Sequence, residues 1–285
     1  MSHMTALSDI LSRAFTPTTG TRVVPWQASE RAFLTVSAAL FAVSAAVTVD
    51  WCASMSAMGA MPMPGGWTMS MAWMPMCGAT WVGAAASFLG MWAAMMAAMM
   101  LPSLVPMLSR YRQAAGGLGR SRLGLLTALV GTGYFFVWMV FGMAAFALSA
   151  ALATAATQQP ELARAGPIVA GMAVMSAGVF QFTAWKIHHL ACCRTVPARH
   201  YSLLADARTA WRLGLRLGLH CICSCAGLTA ILLVLGIMEL KFMAVVTAAI
   251  TAERLAPSGE RVAQATGAFA IGAGLLLIAR AAGLG

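Results

Sequence analysis

Acid is the scarcest chemistry in this sequence: eight carboxylates stand against 18 Lys and Arg in 285 residues, and only 9% of the chain is charged. So little charge, with 60% hydrophobic residues and a mean hydropathy of +0.80, excludes a water-soluble globular protein of this size. No Walker sequence or phosphorylatable transport motif is visible, which argues against ATP-driven pumping by this chain alone. The first five apolar segments lack a mid-membrane Asp, Glu, Lys or Arg, which disfavours a proton-coupled carrier built on buried carboxylates. No small-residue cleavage site follows the first apolar run, so that run is expected to stay as a span. No internal repeat is evident, and no loop is long enough for a soluble domain.

What the chain has in abundance is apolar length. Runs of roughly 20 residues, enough to cross a bilayer, extend over Phe33 to Trp51, Ala79 to Leu101, Leu123 to Leu152, Pro167 to Trp185, Leu219 to Met238 and Val262 to Ala282. A seventh, Phe242 to Ala256, is short and needs Lys241 to snorkel. The expected fold is all-α, a polytopic transmembrane bundle of about seven spans over residues 33–285, after a cytoplasmic tail over 1–32 marked as non-helical by Gly20 and Pro25. Pro102 and Pro106 are expected to stop the second span.

The net charge of +10 reads as topology rather than nucleic-acid binding. Basic residues in successive connecting segments run 3, 0, 4, 1, 6, 1, 2 and 1. By the positive-inside rule the N-terminus is cytoplasmic, the segment Cys52 to Gly78 lies outside, Lys186 to Leu217 forms a cytoplasmic His/Cys loop, and the C-terminus lies outside. The location implied is a multi-pass protein of the bilayer, in a bacterial inner membrane. Followed along the spans, these directions bring Met95, Met99 and Met100, then Gln181, then His220 to Cys225, then Glu253 to one level near the cytoplasmic face.

Sulfur is the second abundance, with 22 Met and seven Cys. The sequence His220-Cys221-Ile222-Cys223-Ser224-Cys225 opens the fifth apolar run. On a regular helix Cys221 and Cys225 share one face, and His220 and Cys223 take the adjacent one; one ion then reaches two of the donors. Unwinding at Gly218 or Gly227 would instead fold the hexapeptide around a metal. After the fourth run, His188 and Cys192, and His189 and Cys193, are spaced i, i+4, with Lys186 and Arg194 near enough to favour thiolates; interfacial histidines beside palmitoylated cysteines would give the same pattern. In the second run Met91, Met95 and Met99 form one stripe, and Met96 and Met100 the next. They read either as thioether ligands for Cu(I) or as a close-packed helix seam.

The outer segment carries Met55, Met58, Met61, Met63, Met69, Met71, Met74 and Met76 between Cys52 and Cys77, which are candidates for a disulfide. Thioethers resist oxidation outside the cell better than thiols do. A mobile loop on the membrane surface is the alternative reading.

Three stretches, Met95 to Pro102, Gln181 to Arg194, and Cys221 and Cys225 followed by Gly236-Ile237-Met238, resemble the predicted metal-binding integral membrane proteins called domain of unknown function 2182. Glu253 and Arg254 fit that family's acidic-basic pair. Two departures are His189, where relatives carry Cys, and Ser224-Cys225-Ala226, where they tend to show Cys-Cys-Trp. The resemblance implies metal binding without an established reaction.

Together these features lead to a protein that binds Cu(I), acquires it at the outer Met segment and holds or passes it at an inner cluster of Cys221, Cys225, Cys223, His220, His189, Cys193, His188, Cys192, Met95, Met99, Met100 and Glu253. Zinc is the alternative metal. The expected partners are a copper chaperone or metalloprotein acceptor and further copies of the chain. Two other classes remain: a membrane zinc or redox enzyme with Glu253 as general base, and a scaffold subunit that binds no metal.

Overall fold

The computed structural model describes residues 23–57, 59, 61–69, 80–115, 118–194 and 206–283. Its contacts divide the chain into two units, Met1–Val36 and Ser37–Gly285, with the boundary inside the first helix. In the described part of the smaller unit the chain is helical, and the Thr35 hydroxyl donates to the Arg31 carbonyl at 2.9 Å. All packing described below belongs to the larger unit.

The described elements run α1 (Val23–Ala57), β1 (Met61–Met63), β2 (Trp67–Met69), α2 (Trp81–Ala114), α3 (Arg120–Gln158), α4 (Pro160–Phe180), α5 (Ala184–Arg194), α6 (Ala207–Leu235), α7 (Leu240–Leu255) and α8 (Gly259–Ala281). The all-α expectation holds apart from one small hairpin. Six helices are long and apolar enough to cross a membrane: Ala28–Met55 within α1, then α2, α3, α4, α6 and α8. At 16 residues α7 falls short of that length. Leu40, Val43, Phe136, Leu148, Phe269 and Leu275 are among the large apolar side chains that face outward.

Helix boundaries correct several expectations. Pro102 and Pro106 lie inside α2, which continues to Ala114. Four residues apart, the prolines remove two amide donors from one face only, while the Ser103 hydroxyl donates to the Met100 carbonyl at 3.0 Å. Pro25 sits in the first turn of α1, where no intrahelical amide bond is lost; residues 1–22 lie outside the described residues. The expected span Pro167 to Trp185 is two helices, since the chain turns at Gln181–Thr183. There the Lys186 amide donates to the Thr183 hydroxyl, which in turn donates to the Phe180 carbonyl, so one side chain closes α4 and opens α5. The His/Cys loop expected over Lys186 to Leu217 is largely helix: α5 and the start of α6, with 195–205 outside the described residues. No unwinding occurs at Gly218 or Gly227; α6 is continuous.

Two glycine seams set the helix spacing. A Cβ at Gly133 would lie 2.8 Å from the Trp211 carbonyl oxygen, and one at Gly218 would lie 2.9 Å from that of Tyr134, so α3 and α6 meet backbone to backbone. In the second seam a Cβ at Gly178 would lie 2.8 Å from the Gly267 carbonyl oxygen, and one at Gly171 would lie 3.1 Å from that of Gly274. Residues 171 and 178 therefore pair with 274 and 267, and α4 and α8 run antiparallel.

The connections segregate to two ends. At one, the Trp67 indole donates to the Ala163 carbonyl at 2.8 Å, seating the hairpin on the start of α4, and Glu239, the residue that precedes α7, lies within electrostatic reach of Cys52. At the other, Arg110 donates to the Arg194 carbonyl at 3.1 Å, and Arg194 donates to the carbonyls of Ala256 and Pro257. Helix α7 joins the two ends.

Candidate metal centre

The helical phase of α6 divides the sulfur-rich hexapeptide, as one of the two sequence readings requires. Cys221 and Cys225, one turn apart, face inward and are each 1% exposed, whereas His220 and Cys223 are half-buried on the adjacent side.

The inward pair sits where four helices meet. The Cys221 and Cys225 thiols interact directly. Cys221 donates to the Met100 thioether of α2 at 3.9 Å and is hydrogen-bonded at 2.9 Å to the Tyr134 hydroxyl of α3. Tyr134 reaches that sulfur because Gly214 and Gly218 let α3 approach α6. Helix α7 contributes Arg254, which donates to Cys225 at 3.6 Å, to Cys193 of α5 at 3.8 Å and to the Ser103 hydroxyl at 3.2 Å. Ser224 lies 3.7 Å from both Cys193 and Cys225. Burial pushes the Cys193 thiol above its ordinary value, while the Arg254 guanidinium pulls it down.

Chemically this is a soft pocket with a built-in cation. Two thiols and a thioether are a donor set that suits Cu(I) rather than hard cations, and Arg254 would offset the one negative charge left when two thiolates hold a monovalent ion. Among the described residues no group of three or more His, Cys, Asp or Glu side chains is close enough to hold one metal. The donors therefore do not form the four-ligand shell of a structural zinc site.

The remaining predicted residues fall elsewhere. Met91, Met95, Met96 and Met99 are all buried on α2, and of the five only Met100 has a described contact with a cysteine. Glu253 is paired with Lys186 of α5 at 2.7 Å, both side chains almost fully enclosed. His189 Nδ1 lies 2.8 Å from His220 Nδ1, with Trp185 against the His189 ring at a centroid distance of 4.6 Å. Burial first, then the neighbouring His220 and His188, lower the basicity of His189. His188 and Cys192 form the expected i, i+4 pair at 3.7 Å, on the outer side of α5. Cys193, expected to pair with His189, turns to Ser224 and Arg254 instead.

At the hairpin end Met61 is opposite Met69, and Met63 opposite Trp67, in an antiparallel register. Met58, Met71, Met74, Met76 and Cys77 lie outside the described residues, and with them the candidate disulfide.

Sequence reasoning missed Tyr134 and Ser224, and it read Lys186 and Arg194 as the cations beside the thiols. That place belongs to Arg254, while Lys186 is bound to Glu253 and Arg194 to backbone carbonyls. Gln181, fully enclosed, has no hydrogen-bond partner for either amide atom among the described residues.

In a comparison with known families, the family model described as PpoB2, copper chaperone, matches residues 89–277, about two thirds of the chain. No curated protein and no solved structure matches.

Proposed function

The chain belongs to the PpoB2 copper chaperone family, and from that premise we propose that it is a multi-pass membrane protein that binds Cu(I) as cargo between Cys221, Cys225 and Met100. The observation that carries the reading is the placement of these three sulfurs: all buried, with Cys221 in contact with both Met100 and Cys225, and gathered from α2 and α6 beside the Arg254 guanidinium. Burying a thiol pair in an apolar bundle has no packing advantage over Ala or Val; holding a soft ion gives it one. The stretches that resemble domain of unknown function 2182 all lie within the matched residues.

Seven crossings are part of the proposal. Helix α7 starts within electrostatic reach of Cys52 and finishes at the sulfur centre, and α8 returns antiparallel to α4. Positive-inside orientation then puts the centre toward the cytoplasm, in a bacterial inner membrane, and the hairpin methionines outside, where they capture the ion. His189, His220, His188, Cys192 and Cys223 form an outlying donor group, with Glu253 held by Lys186. A copper-accepting protein is the expected recipient.

The test is copper content, measured by mass spectrometry on protein purified in detergent. Substituting Cys221→Ser and Cys225→Ser together is expected to abolish retained Cu(I) with little change in yield. Equal copper in this double variant and the parent protein would sink the reading.

A further inference from the structure

Beside the sulfur centre lies a cleft of about 210 Å³ whose walls include Ser103, Met107, Arg110, Cys193, Arg194 and Arg254. Three of these are arginines, and no acidic residue lines the cleft. Among the described residues none of the three makes a salt bridge: Arg110 and Arg194 reach backbone carbonyls, and Arg254 reaches two thiols and a hydroxyl. A cluster of cations without counter-charge, in a concave site, attracts anions. One wall is also a thiol. Cys193 is the cysteine that lines the cleft, and Arg254 and Ser224 each bridge it to Cys225 behind. A small anion that can exchange sulfur ligands fits both features.

We propose that this cleft is an exchange port for Cu(I) carried as an anionic bis-thiolate complex of a small, carboxylate-bearing thiol, with Arg110 and Arg194 receiving the carboxylates and Cys193 making the first exchange. The proposal rests on the Cu(I) reading of the centre. In the first step a copper–sulfur bond to Cys193 forms, the bond to one carrier thiolate breaks, and the Cys193 proton passes to that leaving sulfur. Handing the ion on to Cys225 and Cys221 repeats the exchange: the second carrier thiolate leaves as a thiol, and Cys193 is reprotonated. From carrier to centre, one copper with two thiolates becomes one copper with two cysteinates, two free thiols are released, and the net charge stays at minus one. No electron is transferred, so no oxidant or reductant is needed, and Arg254 faces the same charge throughout. The exchange runs in either direction, for loading or release.

The experiment loads the purified full-length protein from three Cu(I) carriers that differ in arm charge: glutathione (acidic), mercaptoethanol (neutral) and cysteamine (cationic). Initial rates are followed by rapid desalting and metal analysis. The rate ratio of the glutathione to the cysteamine complex is expected to fall about tenfold in Arg110→Glu, because dividing one carrier by the other cancels changes in the centre itself. In the parent protein 0.5 M salt should collapse the same ratio, since screening acts within a few ångström at that strength; this arm needs no variant to fold. A ratio unmoved by salt and by Arg110→Glu overturns the port. Copper retained from no carrier overturns the Cu(I) reading itself.

Discussion

Arg254 donates a hydrogen bond to the Cys225 sulfur at 3.6 Å and makes no salt bridge with any described carboxylate. Its charge is therefore directed at sulfur, and it matters most when the thiols become thiolates around an ion. Arg254→Gln is expected to weaken Cu(I) affinity about tenfold, or ~1.4 kcal/mol, whereas Arg254→Lys, which keeps the charge, should stay within about threefold of the parent. Competition with a chromogenic Cu(I) chelator measures both. Equal affinity for Gln and Lys would show that the guanidinium only fills space.

The Lys186–Glu253 pair ties α5 to α7 behind the centre. Removing one partner leaves a buried charge uncompensated, at a cost of ~3–5 kcal/mol, so Glu253→Gln and Lys186→Met should each unfold markedly earlier in a denaturing-detergent titration. The double variant should be less destabilised than either single one. If Glu253→Gln keeps parent stability yet loses copper, Glu253 is a ligand rather than a strut.

A reporter fused after Gly285 is expected to read outside, on the side of the hairpin. A cytoplasmic reading would make α7 re-entrant and return the span count to six.

Acid should loosen the α5–α6 contact. The His189–His220 bond needs at least one ring neutral at the facing nitrogen, and burial holds His189 below the ordinary value of 6.5. A folded-state value below the unfolded one means this contribution is present above pH 6.5 and is lost as pH falls through the folded value. Thermal stability measured from pH 7.5 downward should therefore decline, and His189→Gln should flatten that decline. An unchanged slope in the variant would assign the acid sensitivity to other groups.

The division of the sulfur-rich hexapeptide was legible because helical phase is strict: once α6 is continuous, Cys221 and Cys225 must part from His220 and Cys223. The meeting of Met100, Cys221 and Arg254 was legible as a level, from the directions of successive spans. What sequence could not supply was azimuth, meaning which face of α5 or α3 turns inward. That is why Cys193 left His189 for Arg254, and why Tyr134 drew no notice. It also could not weigh Pro102 against the rest of α2, where the surrounding packing keeps the helix intact past a residue that ordinarily ends one. The break at Gln181–Thr183 depends on one hydroxyl bonded in both directions, a local detail that an apolar run hides.

The shortness of α7 has a consequence outside the protein. Sixteen residues rise about 24 Å, some 6 Å less than the ~30 Å hydrocarbon layer that this helix would have to cross as the proposed seventh span. Either the neighbouring helices shield its ends or the bilayer pinches in around it, and the energy of that pinch is set by acyl-chain length. Arg254 hangs from the end of this helix, so the depth of the guanidinium beside the thiols is tied to lipid thickness. Reconstitution in short-chain and long-chain lipid would then shift the grip on the metal with no change in any ligand.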